Sequence, residues 1–409
     1  MLDAKTIALI KSTVPVLETR GREITTRFYQ LMFRHHPELL HIFNHVNQKR
    51  GRQQTALAHA VYAAAVHIDR LEEILPVVRQ IAHKHRSIGV LPEHYPIVGK
   101  HLLLAIKDVL GDAATDEMLK AWEKAYQVIA DVFIRVEQEM YEQVKRQTGG
   151  WEGFRDFVVV RKVKESDVIT SFYLQPTDGD PIALYLPGQY ISVKLEIPGE
   201  TYTHIRQYSL SDRPGKPYYR ISVKREDAAA NKPAGMVSSF LHASVREGDV
   251  LPISAPAGDF TLDLASDLPL VLISGGVGFT PLLSMLHTVV EEQPTRAVTY
   301  IHAAVNGRVH AMRNEVAELA QNHLQLKTYF CYSSPTEEDK AAANYDKAGH
   351  LDLAWLQSIL SDKQAQFYIC GPIPFMQTVY AALQRWGAAD EQIRYEFFGP
   401  ASTLKRHSA

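Results

Sequence analysis

Residues Ile81–Val90 read Ile-Ala-His-Lys-His-Arg-Ser-Ile-Gly-Val, two histidines two positions apart in a helical pattern. Only one of them can face an interior. Counting back from His85 meets Ile81, Val78 and Ile74, an apolar stripe; counting back from His83 meets Arg79, Gln80 and Pro76. His85 is therefore expected inside and His83 beside water. An inward histidine is either a hydrogen-bonded core residue or a metal ligand. Further polar side chains fall on apolar stripes. Glu137 aligns with Tyr126, Ala130 and Phe133; Tyr95 with Val98, Leu102 and Ile106; Tyr29 with Met32 and Phe33; and Gln53 with Leu57, Ala60 and Ala64. A carboxylate on a buried stripe is costly unless it is paired or hydrogen-bonded. These residues sort into two sets. His85, Tyr95 and Glu137 can form one hydrogen-bonded group, while Tyr29, Gln53 and Leu57 can line a facing cavity. The plain alternative, a helical core whose polar groups bond only to one another, stays open on these residues alone.

A second group of motifs follows. Arg206-Gln-Tyr-Ser209 comes after a strand-like segment, with Gly188-Gln-Tyr190 upstream and Gly235-Met-Val-Ser238 opening a helix downstream. Leu270–Pro281 reads as a buried strand, the glycine-rich turn Gly275-Gly-Val-Gly-Phe-Thr280, and a helix opened by proline. It is not the G-x-G-x-x-G fingerprint of a standard dinucleotide fold. A second strand-to-glycine turn is Tyr368-Ile-Cys-Gly-Pro372, in which Cys370 reads most simply as a small buried strand residue.

The elements that must position these residues change character twice along the 409-residue chain. Residues 1–148 are helical, with patterns at about 3–20, 22–35, 52–68, 71–86, 92–110 and 115–146, and prolines near starts or breaks. Thr148-Gly-Gly150 is a hinge. From Trp151 to about Phe260 the period is two, as in Phe157–Val160, Tyr190–Leu195 and Tyr219–Lys224, which suggests a small antiparallel barrel. From Leu268 strands and helices alternate, the rhythm of a parallel sheet wrapped by helices. Three domains are expected: 1–148, 151–262 and 263–409. A net charge of −2 with 46% hydrophobic and 22% charged residues describes an ordinary globular protein without the basic field of a nucleic-acid binder. The longest apolar run, Leu268–Ile273, is too short to span a membrane, and the N-terminus lacks the apolar core of a signal peptide. Two cysteines, Cys331 and Cys370, exclude a disulfide framework and a four-cysteine iron–sulfur cluster and fit a reducing cytoplasm; a monomer is the default. Among the other histidines, His35, His36, His41 and His45 gather near a helix–loop junction. They lack an HExxH context and read as surface residues. His59 and His67 fall on a different face from Gln53.

Taken in this order, residues 1–148 resemble a bacterial globin, and the chain as far as Phe397-Phe-Gly-Pro400 is similar to the flavohemoglobin family. That resemblance implies an all-α globin domain, an antiparallel β-barrel FAD domain and an α/β parallel-sheet NAD(P)-binding domain. It implies His85 as the proximal ligand of a heme b iron, with Phe43 on the porphyrin face. Tyr95 and Glu137 become a relay that fixes the imidazole tautomer and strengthens donation to the iron. On the distal side Tyr29 donates to bound oxygen, and Gln53 and Leu57 shape access. Arg206 pairs with the FAD pyrophosphate, Tyr208 stacks on the isoalloxazine, and Ser209 bonds near its N5; Gln207 and Tyr190 are further contacts. Gly235, Met236, Val237 and Ser238 offer backbone N–H groups to phosphate. Gly275, Gly276, Val277, Gly278, Phe279 and Thr280 cradle the NAD(P)H pyrophosphate, Cys370, Gly371 and Pro372 lie over the nicotinamide, and Phe397, Phe398, Gly399 and Pro400 close over the flavin. Lys84 and Glu396 are expected to tune the two redox centres by charge. NADPH is slightly favoured over NADH, because Arg308 and Arg313 can meet a 2′-phosphate and no acidic residue follows the 297–304 strand.

The implied activity is nitric oxide dioxygenation, with hydride passing from NAD(P)H to FAD and single electrons passing from FAD to heme. Rivals are peroxide or quinone reduction by the same parts, a heme gas sensor, and a flavin reductase with a heme-free helical domain. Whether a lipid occupies the distal cavity is left open.

Overall fold

The structure, a computed structural model, describes residues 2–43, 48, 51–229 and 233–399. By contacts the chain divides into two units, 1–155 with 194–206, and 156–193 with 207–409. In the first, helices α1 (Ala4–Ser12), α2 (Val14–His35), α3 (Arg52–Val66), α5 (His94–Leu110) and α6 (Asp116–Arg146) pack around Phe28, Met32, Leu102, Ala105, Trp122 and Ala125, while α4 (Leu75–Ile88) packs Val78 and Ala82 on Val136 and Met140 of α6.

The expected break near residue 21 is absent. Gly21 stays inside α2 facing Ala58, and the chain breaks at Thr13 instead. Pro15 lacks the N–H that would continue α1 but fits the first turn of α2, and the Thr13 hydroxyl donates to the Ile10 carbonyl at 2.6 Å. The Asp3 and Thr115 side chains cap α1 and α6. Gly89 ends α4 in the left-handed region, φ 82°, immediately after the helix that carries His85.

Strands β1 (Phe154–Lys164), β2 (Ile169–Pro176), β3 (Tyr190–Leu195), β4 (His204–Ser209), β5 (Tyr219–Lys224) and β6 (Val250–Ser254) form one sheet in the order β4-β3-β6-β1-β2-β5. Its pairings β1–β2, β2–β5 and β3–β6 are antiparallel. The 206–209 motif lies within β4 rather than after a strand. Helix α7 (Met236–Ala243) follows β5, and the Lys162 ammonium donates to the carbonyls of Leu241, His242 and Val245 near its C-terminal end.

The second sheet contains β7 (Leu270–Gly275), β8 (Val298–Ala304), β9 (Leu326–Tyr332), β10 (Lys347–Ala348), β11 (Gln366–Cys370) and β12 (Ile393–Glu396), in the order β10-β9-β8-β7-β11-β12. Every pairing is parallel. Strand β7 is buried along its whole length, as a central parallel strand covered on both faces must be. The connecting helices are α8 (Phe279–Glu292), α9 (Arg313–Asn322), α10 (Glu337–Ala342), α11 (Leu353–Ile359) and α12 (Ile373–Trp386). Helix α8 begins at Phe279, two residues before the expected proline, because a single 3₁₀ turn at Gly276–Gly278 already starts the coil.

Candidate functional site

Three helices deliver the histidine group of the first unit. His85 near the end of α4, Tyr95 at the start of α5 and Glu137 in the second half of α6 converge. The His85 Nδ1 lies 2.7 Å from Glu137 Oε1, the Tyr95 hydroxyl donates to the same oxygen at 2.7 Å, and Tyr95 Oη is 3.3 Å from Nδ1. Glu137 is 3% exposed. A carboxylate so buried has to keep these partners, because losing one leaves a desolvated acceptor behind. Burial pushes the Tyr95 phenol upward and the Glu137 charge adds to it, so Tyr95 stays protonated as a donor. With Nδ1 engaged, Nε2 is the nitrogen left for a metal.

The sequence did not point to Tyr126 as a brace, yet its hydroxyl donates to the Tyr95 carbonyl at 2.7 Å. Gly99 makes room for that ring, since a Cβ there would overlap it. His83 departs from expectation. It is half-buried rather than beside water, its Nδ1 has no hydrogen-bond partner among the described residues, and burial, with Arg86 and Arg79 nearby, pushes its pKa down to about 4. Lys84 is exposed on α4.

Across the same core, Tyr29 on α2 is 6% exposed, and its hydroxyl is reached by the side chains of Gln53 on α3 and of Gln48. Gln48 was not anticipated, since it falls outside the helical patterns. Burial keeps the Tyr29 phenol protonated. Phe43 stands edge-on to Tyr29 at 5.9 Å and to Phe33 at 5.3 Å, and Leu57 packs on the same cluster. Among the described residues no group of three His, Cys, Asp or Glu side chains could hold a metal ion. A metal held at His85 Nε2 would take its remaining ligands from a porphyrin, which is what a heme supplies. His45 lies outside the described residues. His41, expected at the surface, is half-buried and hydrogen-bonded to Thr203, and His35 bonds the buried His101 at 3.0 Å.

In β4 the pleat sets Arg206 and Tyr208 on one face and Gln207 on the other, where its amide donates to Ser192 Oγ at 2.9 Å. Arg206, Gln207 and Tyr208 are half-buried, and Ser209 is buried at the end of the strand. Tyr190 packs so closely on Gly258 that a Cβ there would touch its ring. Gly235 opens α7 with no side-chain cap, Met236 is exposed, and Val237 and Ser238 are buried. The Ser238 hydroxyl accepts from the Glu226 N–H and donates to the Gly235 carbonyl, so this helix start offers backbone donors rather than a side chain.

The nucleotide sheet reverses its strand order between β7 and β11, and a ligand crevice opens at the carboxyl ends of such a pair. The two glycine turns meet there. A Cβ on Gly278 would overlap the Cys370 carbonyl, and one on Gly371 would crowd Gly275 and Phe375. Gly276 takes φ 53°, Val277 is half-buried, and Phe279 and Thr280 are buried. Backbone this close and this bare fits a pyrophosphate. Gly278→Ala is expected to destabilise the nucleotide sheet by about 1–3 kcal/mol and to raise the KM for NAD(P)H while FAD content holds, checked by steady-state dye reduction and flavin absorbance.

Cys370 is fully buried and its thiol is pushed well up by burial and by Glu396, its partner across the β11–β12 pairing. Pro372 caps α12 and is exposed. Phe397 packs on Tyr395 at 5.5 Å against the core of the sheet, Phe398 and Gly399 are exposed, and Pro400 lies outside the described residues. Arg308 is paired with Glu338 at 3.3 Å, and Arg313 lies over the Phe330 ring.

Residues 26–133 match the globin family model, 156–262 that of the oxidoreductase FAD-binding domain, and 272–381 that of the oxidoreductase NAD-binding domain. A flavohemoprotein of Bacillus thuringiensis subsp. konkukian is 58% identical over 405 residues, 99% of this chain and 100% of that protein. The crystal structure of a flavohemoglobin from Malassezia yamatoensis with bound FAD and heme matches with a TM-score of 0.84 at 28% identity, covering 97% of this chain and 100% of that one. The FAD/NAD-binding domain of nitric oxide dioxygenase from Vibrio cholerae is 40% identical with a TM-score of 0.55, over 60% of this chain and 99% of that one. With a histidine, phenol and carboxylate joined in its helical domain and two glycine turns meeting at the switch point of its parallel sheet, the chain belongs to the flavohemoprotein family.

Proposed function

We propose that this chain is an NAD(P)H-dependent nitric oxide dioxygenase that converts nitric oxide and dioxygen to nitrate. Heme b is held by His85, FAD by β4 and the start of α7, and NAD(P)H by the turns at Gly275–Thr280 and Cys370–Pro372. The observation that carries this reading is the buried Glu137 carboxylate on His85 Nδ1 at 2.7 Å, with Tyr95 on the same oxygen. Glu137 accepts the imidazole N–H, fixes the tautomer, and makes Nε2 a stronger donor, which suits a site that reacts with oxygen rather than releasing it. Together the three groups supply hydride acceptance, single-electron passage and oxygen chemistry.

The chain's own residues do the rest. Tyr29, protonated and desolvated, would offer its hydroxyl as a donor to dioxygen in the site; Gln53 and Gln48 orient that hydroxyl; Phe43, Phe33 and Leu57 exclude water. The division into 1–148, 151–262 and 263–409 is our reading, supported by the ranges of the three family matches. A cytoplasmic location and a monomeric state are part of the same proposal. No described helix is long and apolar enough to cross a membrane. With Arg308 offset by Glu338, the lean toward NADPH rests mainly on Arg313.

Mixing dioxygen-equilibrated, reduced protein with nitric oxide in stopped flow should yield stoichiometric nitrate; nitrate well below stoichiometry rejects the assignment. Tyr29→Phe should release dioxygen about five- to tenfold faster, the equivalent of one hydrogen bond of about 1 to 1.4 kcal/mol. An unaltered off-rate by flash photolysis would remove Tyr29 from this role.

A further inference from the structure

The connection between β3 and β4 belongs by its contacts to the helical unit, although the strands that it joins are members of the barrel sheet. Its hold there is specific. The Thr203 N–H donates to His41 Nδ1 at 3.1 Å, the Thr203 hydroxyl donates to the His41 carbonyl at 2.9 Å, and that hydroxyl also lies 3.3 Å from Nδ1, so three contacts run between the same two residues. The His41 ring also stands edge-on to Tyr202 at 5.2 Å. Accepting a backbone N–H at Nδ1 requires that nitrogen to be unprotonated, which fixes one neutral tautomer of the imidazole. The start of the same segment makes a second contact within the unit: the Lys194 ammonium of β3 sits over the Phe154 ring at 5.5 Å, and that ring lies beside Gly89 at the end of the His85 helix.

The positions of the two bonded residues give the contact its meaning. His41 precedes Phe43 by two residues, and Phe43 packs directly on Tyr29. Thr203 precedes Arg206 by three residues, and Arg206 opens the flavin run of β4. A surface loop of a small barrel needs no such anchor, and hydrogen bonds of this kind between half-buried partners persist only where the two segments keep one register.

We propose that His41 and Thr203 form a clasp that fixes the β3–β4 connection, and with it the start of β4 as far as Arg206, within the helical unit, making both of them positioning residues for electron delivery to the heme. This rests on the reading of the chain as a path from flavin to heme. Neither residue touches a reacting atom. The clasp acts by holding the start of β4, so hydride transfer into the flavin is indifferent to it, and only the later passage of single electrons depends on it.

The test uses full-length protein carrying heme and FAD. Hydrogen exchange at the Thr203 amide reads the bond itself; anaerobic stopped flow with NADH reads flavin bleaching and heme reduction separately. His41→Leu removes the acceptor. The Thr203 amide then loses its protection, flavin bleaching keeps the wild-type rate, and heme reduction slows about tenfold, in line with the steep dependence of transfer steps on positioning. His41→Asn, whose Oδ1 can accept in place of Nδ1, restores both protection and heme reduction. Wild-type heme reduction in His41→Leu, with the Thr203 amide unprotected, overturns the proposal; so does a His41→Asn protein as slow as His41→Leu. Thr203→Val removes the two hydroxyl contacts but keeps the amide bond, and slows heme reduction by a smaller factor; an unaltered rate there counts equally against the clasp. If the wild-type flavin bleaches while the heme stays ferric, the electron-delivery reading falls and the positioning role falls with it, whereas normal heme reduction in His41→Leu removes the clasp alone.

Discussion

His85→Ala is expected to purify without the Soret absorption of heme while keeping its flavin and its NAD(P)H-dependent reduction of dyes. His85 Nδ1 is already engaged by Glu137 and Tyr95, which leaves Nε2 as the nitrogen that would hold the metal, and the variant removes it. His83, two residues earlier, cannot substitute, because two positions on a helix point some 200° apart. The loss should also leave a mark in the apoprotein. Glu137 keeps the Tyr95 hydroxyl but loses its imidazole partner, and a buried acceptor left short of one bond costs about 1–3 kcal/mol. Adding Glu137→Gln to His85→Ala should recover part of that loss, since residues in one network do not act additively. The single variant Glu137→Gln keeps heme but weakens its retention or turnover by about 10- to 100-fold, the usual scale for a partner behind a metal ligand. Full heme content in His85→Ala would overturn the ligand assignment.

Helical periodicity located this group because each member sits on a stripe whose other residues are apolar, and a polar residue out of place is visible in one dimension. The same signal could not find Gln48, which lies outside any periodic segment, nor Tyr126, whose ring was read as part of the Glu137 stripe while its hydroxyl braces Tyr95. Periodicity also misplaced His83. A stripe of Arg79 and Gln80 argues for water, but whether a helix face is covered depends on what packs on it, and a helix pattern contains no such information. The glycine turns were legible as turns. That Gly278 lies against the Cys370 backbone was not, because the two are brought together only by parallel pairing of β7 with β11. The split of the first helix followed the same rule: Gly21 suggested a break, and only the close approach of Ala58 shows why a glycine is useful inside α2.

Arg220 was read only as part of an alternating strand, and the structure makes it the centre of the second large effect expected here. It is 3% exposed in β5, and its guanidinium donates to both oxygens of Glu315 on α9 at 2.9 and 2.8 Å. Glu315 also takes His287 Nε2 from α8 at 2.5 Å, so one carboxylate ties a barrel strand to two helices of the nucleotide sheet. Glu315→Leu leaves Arg220 charged, desolvated and without that partner, a change that costs about 3–5 kcal/mol. Because a multidomain chain does not unfold in one step, the useful readout is the temperature of flavin release, expected to fall by about 10 °C. Arg220→Met combined with Glu315→Leu should recover much of that fall, since replacing both members of a buried pair with apolar groups is far cheaper than removing one. The pH dependence follows from the same geometry. Burial alone would raise the Glu315 pKa, but the bonds from His287 and Arg220 outweigh it and hold the carboxyl down to about 2, against an ordinary value of 4.5. A carboxyl whose folded pKa is depressed stabilises the fold above its unfolded value and loses that contribution as pH falls toward the folded one. Flavin release in the wild type should therefore become easier between pH 4.5 and about 2, and Glu315→Leu should flatten that part of the profile. An equal acid sensitivity in the two proteins would mean that the pair does not hold barrel and nucleotide sheet together.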